Sequence, residues 1–439
     1  MNKYKKYTEY KDSGVEWMDG IPKHWKIKKA KHLFRLETGG TPLTNNDNNF
    51  DKKGIPWVKP ENLDEFNPIL KTKRNVTKTG MVGIPIIPQN SILICGIGTV
   101  GKFGISGTDV ITNQQINSFI PLKIISTAYS KYLLSSSKEQ LELTANKVVV
   151  AISNKTAMQN IYLCFPSYKE QKKIAAFLDY ETGKIDKLIE KQEELVALLE
   201  EKRQAVISHT VTKGLDPSVP MKDSGVDWIK NIPRHWSVTR NKHIFKIKKI
   251  IAGKLGYDVL SITQQGIKIK DITSGEGQLS MDYSKYQLVK PGDFGMNHMD
   301  LLTGFVDISK YEGVTSPDYR VFSLVASDCD KDYFLYIFQL CYWLEIFFPF
   351  GQGSSHLGRW RLPTEQFNLF MFPVPPLGEQ KKISTFLKDN IIKMDQLIAK
   401  AKSAIELMQE RRTALISAAV TGKIDVRDFT LEEHLTKRD

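Results

Sequence analysis

Residues 168–210 and 377–420 are one long segment written twice. Glu170-Gln171-Lys172-Lys173-Ile174 returns 209 positions later as Glu379-Gln380-Lys381-Lys382-Ile383, and Phe177-Leu178 returns as Phe386-Leu387. Asp186 returns as Asp395, Arg203 as Arg412, and Ile207-Ser208 as Ile416-Ser417, without a gap. Apolar residues in the first copy recur in alternating four- and three-residue steps: Ile174, Leu178, Ile185, Leu188, Leu195, Leu199 and Val206, with Glu181, Gln192 and Lys202 in the remaining seam positions. The second copy gives Ile383, Leu387, Asn390, Met394, Leu397, Ala401, Ala404, Met408, Arg411 and Leu415. This stripe predicts a coiled coil. At 1.5 Å per residue each helix is a rod of roughly 60 Å. A lone amphipathic rod needs a partner stripe, and the duplication supplies one.

A second repeat precedes each rod at an offset of 211. Lys11-Asp12-Ser13-Gly14-Val15-Glu16-Trp17 returns as Lys222-Asp223-Ser224-Gly225-Val226-Asp227-Trp228, Ile21-Pro22-Lys23-His24-Trp25 as Ile232-Pro233-Arg234-His235-Trp236, and Lys31-His32-Leu33-Phe34 as Lys242-His243-Ile244-Phe245. The Trp, Pro and His of this motif are read either as chemistry or as aromatic anchors that dock a loop on the core. The order is therefore short motif, variable block, long helix, and the same again.

The variable blocks share little identity. The first, 26–165, is punctuated by Gly39-Gly40-Thr41-Pro42, Lys53-Gly54-Ile55-Pro56, Gly80 and Gly83, with short strands expected at Ile84–Ile87, Ser91–Cys95 and Asn117–Pro121 and a helix at Tyr129–Leu143. The second, 237–372, has expected strands near Val259–Thr263, Tyr286–Val289 and Val321–Val325, then an apolar helix Asp332–Phe348 and a glycine-serine loop. Both read as mixed α/β. The predicted division is 1–165, 166–215, 216–372, 373–425 and a tail 426–439, with the short motifs at 10–36 and 221–247.

Net charge is +13, which favours a polyanionic partner. The excess is uneven: 26–165 holds 18 Lys+Arg against 9 Asp+Glu, and 237–372 holds 15 against 14. Four scattered cysteines, Cys95, Cys164, Cys329 and Cys341, lack metal-ligand spacing and suit a reducing compartment. The N-terminal residues carry no apolar signal core. The run Tyr333–Phe350 is broken by Gln339 and Glu345 and closed by Pro349, so it reads as a buried helix rather than a membrane span.

Motifs for catalysis are missing. Gly96-Ile97-Gly98-Thr99-Val100-Gly101-Lys102-Phe103 nearly matches a phosphate loop, but Phe103 replaces the hydroxyl residue and no helix start follows. We read it as a β-turn with Lys102 available to DNA phosphate. No GxGxxG opens a helix, Val374-Pro375-Pro376-Leu377 lacks both flanks of an amino-methyltransferase signature, and the histidines are unpaired. Groups suited to reading DNA are present. The first block offers Lys59, Lys71, Lys73, Arg74, Lys78, Lys102, Asn113, Gln114, Gln115 and Asn117. The second offers Gln264, Gln265, Lys268, Lys270, Asn297, His298, Arg320, Gln352, Ser354, Ser355, His356, Arg359 and Arg361. Amides pair with adenine, arginine pairs with guanine, and lysine neutralises phosphate. Each one taken singly is also a candidate for a turn or strand-end hydrogen bond.

With both repeats in view the chain resembles the specificity subunits of type I restriction-modification enzymes. The resemblance rests on the two opening motifs, on the helix starts through Glu170-Gln171-Lys172-Lys173 and Glu379-Gln380-Lys381-Lys382, and on the helix ends at Ala205-Val206-Ile207-Ser208 and Ala414-Leu415-Ile416-Ser417. It covers essentially the whole chain. Ser167-Tyr168 departs from the family-like Pro376-Leu377, a difference confined to the local turn. The resemblance implies two globular α/β target recognition domains joined by two long helices in an antiparallel coiled coil, with pseudo-twofold internal repetition. It implies that each domain reads one half of a split, asymmetric double-stranded DNA site and that the helices set the spacer. It further implies docking of two methyltransferase subunits and, through them, two restriction/motor subunits. S-adenosylmethionine, ATP and magnesium belong to those partners; this chain is expected to bind no cofactor or metal, to have no catalytic residues, and to work in the cytoplasm of a bacterium or archaeon without membrane contact. Two other readings stand beside this one: a self-sufficient nuclease or methyltransferase, and a coiled-coil scaffold without base readout.

Overall fold

The computed structural model describes residues 4–15, 18–145, 151–272, 282–353 and 360–431. Two helices dominate, Tyr168–Lys213 with 46 residues and Leu377–Val420 with 44. Each begins just after a proline-bearing turn and is followed by a glycine in the left-handed region, Gly214 at φ +79 and Gly422 at φ +77, which turns backbone N–H groups back onto the last carbonyls: Gly214 onto Thr210, and Lys423 onto Ala418. The chain forms two compact units, Met1–Gln192 with Ser403–Asp439, and Glu193–Lys402. Each unit owns one variable block, the first half of the helix that follows it, and the second half of the other helix.

The first unit is built on a five-stranded sheet of Phe34–Thr38, Ile116–Pro121, Ile92–Cys95, Phe103–Ser106 and Pro68–Ile69. Its neighbours are antiparallel except for the last pair. Ile92–Cys95 is buried throughout. A smaller sheet places Phe50–Val58 between Ile111–Thr112 and Asn75–Val76. The expected strand Ile84–Ile87 is not a strand: only Ile87 pairs, with Val110. The expected helix Tyr129–Leu143 is two, Thr127–Ser135 and Lys138–Leu143, because Ser135, Ser136 and Ser137 turn their hydroxyls onto preceding carbonyls and break the ladder.

The second unit has a four-stranded antiparallel sheet of Phe245–Lys248, Arg320–Leu324, Phe294–Met296 and Val306–Ile308. A hairpin, Leu260–Thr263 with Gly266–Ile269, stands beside it. The apolar helix runs Lys331–Trp343 and supplies Phe334, Ile337 and Phe338 to an aromatic core with Phe245, Phe294 and Phe322. It is a core helix: no helix among the described residues is long and apolar enough to cross a membrane.

Within each unit the long helices run antiparallel, the start of one beside the end of the other. The ion pairs fix the direction: Arg412 Nε lies 2.7 Å from Asp186 Oδ1 in the first unit, and Arg203 Nη1 lies 3.2 Å from Asp395 Oδ1 in the second. These are the same pair under the 209-residue repeat. The seam is not a strict heptad. Inward positions step through Ile174, Leu178, Thr182, Ile185, Ile189, Gln192, Val196, Leu199, Arg203, Ile207 and Thr210. The second helix steps through Ile383, Leu387, Ile391, Met394, Ile398, Ala401, Ile405, Met408, Arg412, Ile416 and Ala419. Both average about 3.6 residues per step, the period of a straight helix, so a 3.5 pattern drifts out of register along the rod. Leu188, Leu195 and Leu397, expected in the seam, are therefore exposed at 53%, 42% and 51%. Ile189 and Ile398 take the inward places, and Arg203 and Arg412 replace Lys202 and Arg411. Ile174, Leu178, Ile185, Ile383, Leu387, Met394 and Leu415 are buried as expected, with Leu199, Val206 and Met408 half-buried.

Candidate nucleic-acid interface

The repeated residues form a frame. In the Asp-Ser-Gly turns the Asp12 carboxylate accepts from Gly14 N–H at 2.9 Å and that of Asp223 from Gly225 N–H at 3.0 Å, with both glycines at φ +69. Each motif histidine meets the glutamate that opens the following long helix: His24 Nε2 is 3.1 Å from Glu170 Oε2, and His235 Nε2 is 2.8 Å from Glu379 Oε2. Buried Glu170 also accepts from the Tyr7 phenol at 2.6 Å, and burial together with that carboxylate pushes the phenol's pKa up. The adjacent glutamines are fully buried and act as cross-braces. Gln171 accepts from Ser126 N–H (2.8 Å) and donates to the Pro166 carbonyl (3.0 Å); Gln380 accepts from Asp330 N–H (2.7 Å) and donates to the Pro375 carbonyl (2.8 Å). Ser126 and Asp330 are the N-caps of the helices Thr127–Ser135 and Lys331–Trp343.

A buried tyrosine from each of those helices reaches the end of the opposite long helix. The Tyr129 hydroxyl lies 3.4 Å from the Val420 carbonyl, and that of Tyr333 lies 3.1 Å from the Val211 carbonyl. Burial raises both phenols well above the usual range. The terminal glycines then pack on the motif tryptophans: a Cβ on Gly422 would fall 2.3 Å from Pro22 Cδ, and one on Gly214 3.3 Å from the Trp236 ring. Trp25 and Trp236 are fully buried, so of the two readings of the motif the structure favours anchoring over chemistry; Trp17 lies outside the described residues.

On the first block, Lys71, Lys73, Arg74 and Lys78 flank the short edge strand Asn75–Val76, all exposed. Lys52 and Lys53 on the neighbouring strand extend the patch, because Asn75 Nδ2 binds the Lys52 carbonyl at 2.8 Å. Among the described residues none of these six cations sits in an ion pair with a carboxylate. Arg74 lies 3.7 Å above the Phe50 ring and Lys59 4.6 Å above Trp57. Lys52 and Lys53 were missed in sequence because they adjoin a glycine break, and the strand's register shift leaves Asp51, Lys52 and Lys53 exposed in succession. Gln114 is exposed and bonded to the Thr41 hydroxyl, which ties it to the Gly39-Gly40 turn. Four candidates are occupied internally. Lys102 Nζ donates to the Pro60 carbonyl (3.0 Å) rather than facing outward. Asn113 and Gln115 bond one another, and buried Asn117 accepts from the Thr38 hydroxyl. The phosphate-loop look-alike is a hairpin turn: Ile94 pairs with Phe103, and a strand follows it.

On the second block, the Gln264-Gln265 turn sits at the hairpin tip, where Gln264 Nε2 donates to the Thr303 carbonyl (3.3 Å) and Lys268 bonds Gln265 Oε1. The segment 297–304 is fastened to residues 360–362 by Leu301 N–H on the Trp360 carbonyl and Leu362 N–H on the His298 carbonyl. Arg361 in turn exchanges backbone bonds with Gln352. Gln264, Gln265, Lys268, Asn297, His298, Gln352 and Arg361 thus belong to one set of connected loops. Lys270 and Asn297 line a cleft of about 430 Å³ with Tyr283, Tyr286 and Tyr319. Arg320 is not on this surface. It is buried, donates to the Leu362 carbonyl at 3.0 Å and lies over Phe367, and burial lowers its pKa to about 10. Burial, then Arg320 and Arg361, lowers the His298 pKa to about 3, so its ring is neutral near pH 7. Ser354, Ser355, His356 and Arg359 lie outside the described residues. Among the described residues no cluster of His, Cys, Asp and Glu could hold a metal ion.

Two polar-faced blocks on a duplicated helical frame define the class to which the chain is similar. The family model "Type I restriction modification DNA specificity domain" matches residues 22–197 and again 233–407. The chain belongs to this family: it is a type I specificity subunit with two target recognition domains. It is 26% identical over 259 residues to the type I restriction enzyme MjaIX specificity subunit of Methanocaldococcus jannaschii, covering 56% of this chain and 57% of that one. It is 23% identical to the MjaVIII specificity subunit of the same organism, covering 96% and 98%. A solved structure from work on complex assembly and conformational transition of the type I R-M system superposes with a TM-score of 0.66 at 13% identity, over 92% of this chain and 99% of that one.

Proposed function

We propose that each recognition domain reads one half of a split, asymmetric DNA sequence and that the paired helices fix the number of unread base pairs between the halves. The observation that supports this is the combination of an identical frame with unlike contents. The same His–Glu, Gln and Tyr contacts mount both domains, while the surfaces they present differ in charge and sheet order. A duplicated frame carrying two different readers matches a bipartite, non-palindromic site. The first domain grips phosphate through Lys52, Lys53, Lys71, Lys73, Arg74 and Lys78 and reads with Gln114; the second reads through the connected loops around Gln264, Asn297 and Arg361.

The rod also carries apolar residues in water at repeat-equivalent places, Leu188 with Leu397 and Leu198 (56%) with Leu407 (63%). This duplicated stripe suits two copies of one partner, and we assign it to two methyltransferase subunits, with restriction/motor subunits recruited through them. S-adenosylmethionine, ATP and magnesium are then bound by the partners; this chain contributes no catalytic group and works in the cytoplasm. The test is co-expression with the cognate methyltransferase subunit and single-molecule sequencing of host DNA for N6-methyladenine. A split motif of fixed spacing is the expected result. A stable complex that methylates no such motif sinks the reading, and no complex at all favours the scaffold alternative.

A further inference from the structure

The seam arginines do more than bind the opposite helix. In the first unit Arg412 lies between Asp186 and the ring of Phe66, with its guanidinium carbon 4.4 Å from the ring centroid. Phe66 belongs to the recognition domain, where Phe103 and Tyr132 back it at 5.1 and 5.2 Å. In the second unit Arg203 lies between Asp395 and the ring of Trp343, 5.1 Å away, again from the recognition domain. The arginines and aspartates are repeat equivalents; the aromatics are not, since they come from unrelated places in the two domains. Each aromatic adjoins a turn that holds a glutamate at positive φ: Glu65 at 43° directly precedes Phe66, and Glu345 at 53° follows two residues after Trp343, the last residue of its helix. Such backbone is uncommon for a residue with a side chain and persists where the surroundings enforce it.

We propose that these two Asp–Arg–aromatic sandwiches are latches that set the angle of each recognition domain on its own stretch of rod. They make Arg203 and Arg412 positioning residues for spacer discrimination. The idea rests on the bipartite-site reading above. The physical link is helical: one added base pair moves a half-site by about 3.4 Å and turns it by roughly 35° around the DNA. A domain held at one angle rejects that shift, whereas a domain held only by the distant frame contacts tolerates it. Each guanidinium is held between an aspartate and an aromatic ring of its own unit, so half-site sequence is not its concern.

The experiment uses the whole complex. Host DNA methylated by wild type, Arg203→Ala, Arg412→Ala and Arg412→Lys complexes is sequenced for N6-methyladenine and sorted by spacer length. Each alanine variant is expected to raise the share of sites with one base pair more or fewer by about tenfold, with both half-sites unchanged. Arg412→Lys, which keeps the charge but not the planar stack, falls between. If an alanine variant fails to assemble, Phe66→Leu tests the same latch from the domain side with the ion pair intact. Spacer distributions that match wild type in the variants that assemble overturn the proposal. A wild-type complex without a bipartite motif overturns the underlying reading instead, so the two failures are distinguishable.

Discussion

The two recognition domains are mounted alike and built unlike. Gln171 and Gln380 make the same cross-brace to the same kind of helix cap, yet the first domain rests on a five-stranded sheet and the second on a four-stranded one. The first carries an exposed cationic edge whose six cations, among the described residues, form no ion pair; the second buries its most conspicuous arginine, Arg320, and presents amides from linked loops. The proposed reading therefore divides affinity and readout unequally between the halves.

The largest test of that inequality is charge removal. Replacing Lys71, Lys73 and Arg74 together by Gln is expected to weaken binding about 100-fold near physiological salt and to flatten the log–log salt slope by roughly 3, measured by anisotropy on the assembled complex. Lys268→Gln with Arg361→Gln should flatten it by less than roughly 2. Equal losses per charge removed would erase the proposed asymmetry.

Removal of a frame brace should show the opposite, equality. Gln171→Ala and Gln380→Ala each leave a helix-capping N–H, buried at Ser126 and partly buried at Asp330, without its acceptor, at a cost of about 1–3 kcal/mol. Urea unfolding should report similar losses, and a large difference would show that the units are not mounted equivalently. Acid separates them again. The folded pKa of His298 is depressed to about 3, below the unfolded value of 6.5, so the unfolded chain takes up the proton first. Stability of the second unit is fully present above pH 6.5 and declines as pH falls towards 3, by about 1–2 kcal/mol near pH 5. His298→Gln should remove that dependence and leave the first unit's acid response unchanged. The smallest effect on folding is at the outer stripe: Leu198→Ser and Leu407→Ser should alter stability by less than about 0.5 kcal/mol while weakening capture of the methyltransferase subunit in a pull-down. Intact capture would move docking elsewhere.

Much of this was legible because repetition makes each half a control on the other. Glu170 and His24 lie far apart in sequence, yet both recur at nearly one offset, which marks them as frame before any contact is seen. The long helices declared themselves by periodicity, but their inward face did not. A 3.5 and a 3.6 repeat agree for two or three turns and then part, so Ile174 and Leu178 were placed correctly and Leu188 was not. The domain surfaces were the least legible. Asn113, Asn117 and Lys102 are chemically as fit to meet DNA as Gln114, and only the fold shows that their polar atoms already bond within the domain.

The cross-braces also bear on inheritance. Because the His–Glu, Gln and Tyr contacts between a domain and its frame recur in both halves, a genetic exchange that begins in one repeated segment and ends in the next would deliver a foreign domain that brings most of its mounts with it. The encoded protein would fold and assemble as before and address a different set of sites in a single step. On the proposed reading, the duplicated glutamines would make new targets a matter of cutting and splicing rather than of gradual amino-acid change.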